Sequence, residues 1–317
     1  MSASPTTRLA PSPTGALHLG NARTFVVNYL LARRNGWRVL MRVEDLDGPR
    51  VKAGAAAEVL DELRWLGLDW DSPAVCQSTR AGVYRAALEQ LIRDGCAYPC
   101  ACSRKDIAQA ASAPHRSDGH TFYSGTCRDR FSSAQQARQL TDRPIAWRVR
   151  VDGQAIDVRD EFVGTRRFEL SQSCGDFVIF KNDATAGYQL AVVVDDAEAG
   201  VDAIVRGDDL LESAARQIHL RRLLGLGPEP TYYHLPLVIG PDGRRLAKRH
   251  GDTRLSHYRK LGAPPTRILG LLGYWSGLLD ERRETNLDEL LDRFDLSRLP
   301  KEPIVFSPED DEFLRGK

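Results

Sequence analysis

The chain has 317 residues, 42% hydrophobic and 27% charged, which is the make-up of a folded globular enzyme and not of a disordered tail. Its 44 Lys and Arg against 43 Asp and Glu leave a net charge of +1, so any polyanion binding must come from local patches. No apolar run reaches the length of a bilayer crossing, no secretory signal opens the chain, and six cysteines are too few for a disulfide scaffold. The expectation is a cytoplasmic protein without a membrane partner, whose unevenly placed thiols hold a metal.

Thr7 to Ala10 reads as a buried strand. The stretch from Pro11 to Pro13 cannot continue it, and helical periodicity begins at Leu19 with Phe25, Leu30 and Leu31. A strand, a turn and a helix start present backbone N–H groups and a positive dipole end to an anion, with Gly15 and Gly20 expected to let the ligand approach. His18 and Asn21 share one face of the helix start. Asn21 to Arg34 completes the helix, which ends near Asn35 and Gly36, and Arg38 to Glu44 reads as a second strand of a right-handed βαβ unit. Glu44, Asp45 and Asp47 gather at its carboxyl end, where open α/β sheets place ligands, and Glu44 suits a cationic group. Ala55 to Leu66 and Arg80 to Arg93 read as core-packing helices, the second with Ser78 as N-cap.

Cys100 and Cys102 form a close thiol pair, and Cys127 follows as a third, one ligand short of a tetrahedral zinc site. His115, His120 and Tyr123 are the candidates for the fourth ligand, and coordination chemistry alone favours His120. Ile145 to Val151, Phe177 to Phe180, Tyr188 to Val194 and Ala203 to Val205 read as short strands. Lys181 to Gly187 would be a hairpin turn feeding a central strand that ends at Asp195 and Asp196. Asp208 or Asp209 can cap a helix from Leu210 to Leu224, and Arg206 just before it can clamp a carboxylate bidentately. Tyr232 to Ile239 reads as one strand. It opens into a Gly-flanked loop carrying Arg244, Arg245, Lys248, Arg249 and His250, which suits a polyphosphate, and a helix from Pro264 to Leu279 lies beyond.

Taken together, Arg8 to Gly15 with His18 to Asn21, Arg42 to Asp45, Tyr188 to Asp196 with Val205 to Gly207, and Arg245 to Arg249 resemble the catalytic domain of class I glutamyl-tRNA synthetases in content and order. The resemblance implies an α/β fold: a Rossmann-like parallel sheet with an inserted α+β, zinc-binding region and a C-terminal helical segment. The implied divisions are 6–97 for the first half of the catalytic domain, 98–187 for the insertion with the zinc site, 188–240 for the second half, and 241–317 for the basic signature loop and helical region. With the chain ending at Lys317, no anticodon-binding domain is expected. That ending, with Cys100, Cys102, Tyr123 and Cys127, is similar to the glutamyl-Q tRNA(Asp) synthetases and selects Tyr123 over His120 as fourth zinc ligand.

The activity implied is ATP-dependent activation of L-glutamate and its transfer to the queuosine base in the anticodon of tRNA(Asp), by a monomer using zinc, with magnesium on the ATP. The implied roles are catalytic for His18 and Lys248; glutamate-binding for Arg8, Ala10, Ser12, Glu44, Tyr188 and Arg206; and ATP-binding for His18, Gly20, Asn21, Arg245, Lys248 and Arg249. Asn21 stands where the family signature has a second His, so it carries no acid–base role. Arg245 and Ala247 depart from the lysine-loop signature, keeping the first charge and losing the hydroxyl. A truncated or discriminating glutamyl-tRNA synthetase and a non-catalytic zinc-containing RNA-binding module are the competing readings; retention of both phosphate loops argues against the module.

Overall fold

A computed structural model describes residues 4–13, 17–46, 51–110, 122–244, 246 and 251–317. Gly15, Asp47, His115, His120, Arg245, Ala247, Lys248, Arg249 and His250 lie outside them. In chain order the elements begin with β1 (Thr6–Leu9), α1 (Leu19–Arg34), β2 (Arg38–Val43), α2 (Ala55–Trp65), β3 (Val75–Cys76), α3 (Ala81–Arg93), β4 (Ala97–Cys100) and α4 (Arg104–Ala110). They continue with α5 (Ala134–Thr141), β5 (Ala146–Val149), β6 (Ile156–Val158), β7 (Arg166–Phe168), α6 (Leu170–Ser173), β8 (Val178–Phe180) and α7 (Tyr188–Glu198). Last come β9 (Ala203–Gly207), α8 (Leu211–Leu223), β10 (Thr231–Leu235), β11 (Val238–Ile239), α9 (Leu255–Lys260), α10 (Pro265–Trp275), α11 (Leu287–Arg293), β12 (Ile304–Val305) and α12 (Pro308–Arg315). They form two compact units, one of Met1–Cys76, Val201–Asp208 and Tyr233–Lys317, the other of Gln77–Gly200 and Asp209–Tyr232.

The first unit is built on parallel pairing. β1 pairs with β2 in the register Thr6↔Arg38 to Leu9↔Met41, and β2 pairs with β3 through Arg42↔Val75. Leu9, Val39, Met41 and Val43 are buried, as strands in an open sheet covered by helices must be. α1 lies between β1 and β2 in the chain and buries Leu19, Val26, Val27, Leu30 and Leu31, so the expected βαβ unit is present. Gly36, with φ of 65°, supplies the left-handed residue that ends it. Two carboxylates tie that end down: Arg33 pairs with Asp69 at 2.7 Å and with Asp71 at 2.9 Å, while Asp71 also accepts from the Val39 N–H at 2.7 Å.

The second unit is antiparallel where it contains a sheet, in the order β4-β5-β8, with β6 and β7 as a separate hairpin. Two readings of the sequence are corrected here. Tyr188 to Val194 is not a strand but the body of helix α7. The hairpin turn before it is present, with the Lys181 N–H donating to the Thr185 carbonyl at 2.7 Å and the Gly187 N–H to that of Ile179 at 2.8 Å. It feeds a helix because Gly187, in extended conformation, acts as an N-cap. Every residue from Gln189 to Asp196 is buried, so the helix has no polar face and its valines mimic a strand. Asp195, read as the charged end of a strand, lies inside this helix and accepts from Gln77 and Arg80, each at 2.7 Å, and from Tyr84 at 2.9 Å.

The segment Tyr232 to Ile239 is likewise two strands, β10 and β11, interrupted at Pro236 and Leu237; Pro236 has no N–H to give to a ladder. Ser78 lies in a 3-10 turn, Gln77–Arg80, and α3 begins after it.

α10 contains a position that composition does not explain. Gly270 is buried in mid-helix, and a Cβ there would overlap the carbonyl oxygen of Arg283. Alanine gains about 1 kcal/mol over glycine in a helix interior, whereas overpacking a core costs about 1–3 kcal/mol. Overlap with backbone, which cannot swing aside, sets the sign: Gly270→Ala is expected to lower stability by up to about 2 kcal/mol after the helix-propensity gain is subtracted. A thermal melt in which the variant equals or exceeds the parent chain contradicts this packing.

Candidate active site and thiol cluster

Arg8, Ala10, Ser12, Glu44 and Arg206 are brought to neighbouring strand ends within the first unit. The parallel register sets Arg8 beside Leu40, and past the strands the Glu44 N–H still donates to the Pro11 carbonyl at 2.9 Å. β9 lies alongside β1, since the Asp202 N–H donates to the Thr6 carbonyl at 2.9 Å and the Asp202 carboxylate accepts from the Thr6 N–H at 3.1 Å. Arg206 is therefore carried along β9 toward the end of β1. Arg8 and Arg206 are both buried, which suits cations meant for a desolvated anion. Arg206 is oriented by its Nε, which donates to Nε2 of His234 at 3.0 Å. Accepting that bond requires a neutral imidazole with its proton on Nδ1. Glu44 is held by Arg42 at 3.0 Å, so its carboxylate is fixed from the side as well as through its backbone.

The start of α1 is anchored from a later stretch of the chain. His18 is the N-cap in extended conformation, with Nδ1 3.1 Å from Oγ1 of Thr253. The Leu19 N–H donates to the Thr253 carbonyl at 3.0 Å, and the Leu255 N–H to that of Leu17 at 2.9 Å. The described residues on the other side of the basic loop are also fixed: Gly240 and Gly243 form a tight turn, and the buried Leu246 donates its N–H to the Val238 carbonyl at 3.2 Å. Both ends of the loop thus attach near the first turn of α1. Gly20 also has a packing role: its missing Cβ would lie 3.3 Å from Cβ of Val238, so its smallness admits β11 against the helix. Asn21 is exposed on that first turn.

Tyr188 opens α7 in the second unit and is partly exposed. The same unit gathers three of the six cysteines. Cys100 ends β4, and the ligating atoms of Cys100, Cys102 and Cys127 all lie within 4.8 Å of one another, with Cys102 and Cys127 Sγ atoms 3.4 Å apart. The Tyr123 phenol oxygen is 3.5 Å from Cys100 Sγ and 3.7 Å from Cys102 Sγ, and it accepts from the Cys127 N–H at 2.8 Å. Tyr123 is held there by its own N–H, which donates to the Cys174 carbonyl at 3.1 Å, and by Gly175, where φ is +64° and a Cβ would overlap the Tyr123 carbonyl.

A tetrahedral ion with ligand bonds of about 2.3 Å sets its donors about 3.8 Å apart, close to the 3.4, 3.5 and 3.7 Å found between neighbouring donors here. Three thiols and a phenol, packed among Tyr98, Phe131, Ala137 and Ile145, fit a structural zinc. The thiols are already differentiated: a hydrogen bond from Cys100 brings Cys127 down to about 6, while Cys100, giving that bond and buried, is pushed up to about 12.

The model of the family described as tRNA synthetases class I (E and Q), catalytic domain, matches residues 5–310. The chain belongs to this family. That makes it an enzyme of the ligase type, on a mixed α/β fold with a parallel sheet. A protein named glutamyl-Q tRNA(Asp) synthetase from Symbiobacterium thermophilum is 45% identical over 319 residues, covering 98% of each chain. One of the same name from Nocardia farcinica is 46% identical over 300 residues, covering 95% of this chain and 92% of its own. Among solved structures, a glutamate tRNA ligase from Elizabethkingia meningosepticum in complex with its amino acid superposes with a TM-score of 0.81 at 26% identity, over 98% of this chain and 69% of that one.

Some supports of the synthetase site were not read from the sequence. Asn28, on the buried side of α1, donates to the Arg8 carbonyl at 3.0 Å; His234 and Thr253 orient Arg206 and His18. A lone Asn on an apolar helical stripe was the one available signal.

Asp176, next to Gly175, accepts from Tyr98 Oη at 2.6 Å, Arg128 Nε at 2.8 Å and the Val151 N–H at 2.8 Å. Burial alone would raise its pKa, but these three donors hold it below the usual carboxylate range. A depressed carboxylate stabilises the fold above its unfolded value near 4, and that stability is lost as pH falls through the lower folded value. Asp176→Asn is therefore expected to cost about 1–3 kcal/mol at neutral pH, with the deficit shrinking below about pH 4. Melting temperatures across pH that keep a constant gap would contradict it.

Proposed function

We propose that this synthetase activates L-glutamate with ATP as glutamyl-adenylate and transfers the glutamyl group to the queuosine base in the anticodon of tRNA(Asp). The observation carrying the reading is the meeting of Arg8, Ser12, Glu44 and Arg206 at adjoining strand ends beside an α1 start headed by His18, in a chain similar end to end to relatives with that name. Arg8 and Arg206 supply guanidinium groups for the two carboxylates of glutamate, Glu44 faces its ammonium, and Ala10 and Ser12 line the turn. The resemblance adds the Tyr188 hydroxyl for orientation.

In the first step an oxygen of the glutamate α-carboxylate attacks the α-phosphorus of ATP, the bond to the bridging oxygen breaks, and pyrophosphate leaves. The carboxylate is already ionised, so the protein needs no general base; its task is positioning and stabilisation of charge on the phosphates. His18, held through Nδ1 at Thr253, is proposed to contact the phosphates, while Gly20, Asn21, Arg245, Lys248 and Arg249 complete the proposed nucleotide contacts and magnesium accompanies the ATP. In the second step a hydroxyl of the queuosine cyclopentenediol attacks the adenylate carbonyl and AMP leaves, which requires the anticodon loop to offer its base unstacked. Cys100, Cys102, Cys127 and Tyr123 are proposed to hold zinc, which would cross-link the end of β4 to the stretch that carries Tyr123 and Cys127.

Labelled glutamate is expected on tRNA(Asp) carrying queuosine and not on tRNA(Asp) lacking it; label on tRNA(Glu) would favour a glutamyl-tRNA synthetase activity instead. Lys248→Ala should slow glutamate-dependent pyrophosphate exchange with little change in glutamate KM, and an unchanged rate removes that residue from the chemistry. Arg206→Ala, losing charge-assisted hydrogen bonds of about 2 kcal/mol, should raise glutamate KM at least about 30-fold while leaving ATP KM in place.

A further inference from the structure

Arg148 lies in the middle of β5 and is 6% exposed, yet among the described residues no carboxylate forms an ion pair with it. Its Nε donates to Cys100 Sγ at 3.3 Å, its Nη1 donates to the Asp176 carbonyl at 2.6 Å, and its guanidinium stacks over the Tyr123 ring, 3.7 Å from the centroid. One buried cation thus touches two of the four groups assigned to the metal and is tethered to backbone by its remaining arm. An uncompensated buried charge is costly, so its counter-charge has to be sought at the thiols.

We propose that Arg148 is the outer-sphere cation of the three-cysteine, one-tyrosine metal site, balancing its charge and holding the Tyr123 ring in place. The inference rests on the zinc reading above. Three thiolates around a divalent ion leave one net negative charge, and a single guanidinium in contact with one of the sulfurs neutralises it if the phenol keeps its proton. The N–H to Cys100 disperses thiolate charge, as outer-shell donors do at metal centres. The flat face over Tyr123 fixes a ligand whose phenol binds zinc more weakly than an imidazole would, so pre-orientation contributes more here than at a histidine. Arg148 is a positioning residue; it does not touch the metal or the substrates. Lysine would keep the charge and lose both the fork and the stacking face.

The test compares the full chain with Arg148→Met and Arg148→Lys, each purified from zinc-supplemented cells. Zinc per chain is measured by elemental analysis, and zinc transfer to a chromophoric chelator is followed in time. Arg148→Met is expected to release zinc at least about 10-fold faster than the parent chain, with Arg148→Lys in between. Melting temperatures separate this role from packing: the Arg148→Met deficit should be large in zinc-loaded protein and shrink by more than half after chelation.

Equal deficits in both forms with unchanged release would overturn the proposal while leaving zinc in place. A parent chain that takes up no zinc would overturn the metal reading and this inference together. If Arg148→Met does not fold, Arg148→Lys decides: parent-like release counts against the proposal, faster release at full zinc loading supports it.

Discussion

The active-site half of the molecule depends on how β1 is held at the point where it leaves the sheet. Asn28, inside α1, donates to the Arg8 carbonyl, and the Thr7 hydroxyl lies 3.0 Å from Asn28 Oδ1 and 2.9 Å from the Ala203 carbonyl. These buried polar atoms join helix, strand and β9 at one spot, and each would be expensive to leave unsatisfied. Arg8 thereby emerges from a backbone position fixed on both sides, and Arg206 follows from the strand that Ala203 opens. The carboxylate clamp proposed for these two residues would require such a rigid base, because bidentate geometry fails with small displacements.

Elements with a one-sided environment were legible from the sequence. α1, α2, α3, β1 and β2 each bury one stripe or lie in a covered sheet, and their observed bounds fall close to the periodicity. α7 was not legible because Leu190 to Asp196 are buried on every side, which erases the contrast between faces. Gly20 illustrates a different limit: a glycine in a phosphate-type turn suggests ligand access, but the atom nearest its absent Cβ belongs to Val238, a partner over two hundred residues away that no local pattern can name. For the site, residue types were visible and partners were not. Arg206 stood out as a cation near a helix start, whereas His234 read as one more residue of a strand.

The two units meet opposite electrostatic demands with the same means. At the zinc site proposed for the thiol cluster the excess charge would be negative, and the cation is a guanidinium locked by stacking and by a backbone carbonyl. At the strand ends of the first unit the ligand proposed is an anion, and the guanidinium of Arg206 is locked by a neutral imidazole. Arg suits both places because its planar fork loses little freedom per bond formed and remains charged when buried.

The field at the head of α1 is reinforced from beneath. The first turn holds no acidic residue of its own to offset the positive end of the helix dipole, while Arg33 and Arg34 occupy the last turn, where cations are favourable. Arg23, only 1% exposed, donates to the Pro236 carbonyl at 3.0 Å. Burial lowers its pKa to about 10 against the opposing pull of Asp208, which still leaves it a cation at physiological pH. A buried charge screened weakly by solvent acts over a longer distance than one on a surface arginine. A costly buried cation thus lies one turn into α1, where it adds to the positive end of the helix dipole, and the nucleotide contacts proposed for His18 and Asn21 would draw on both.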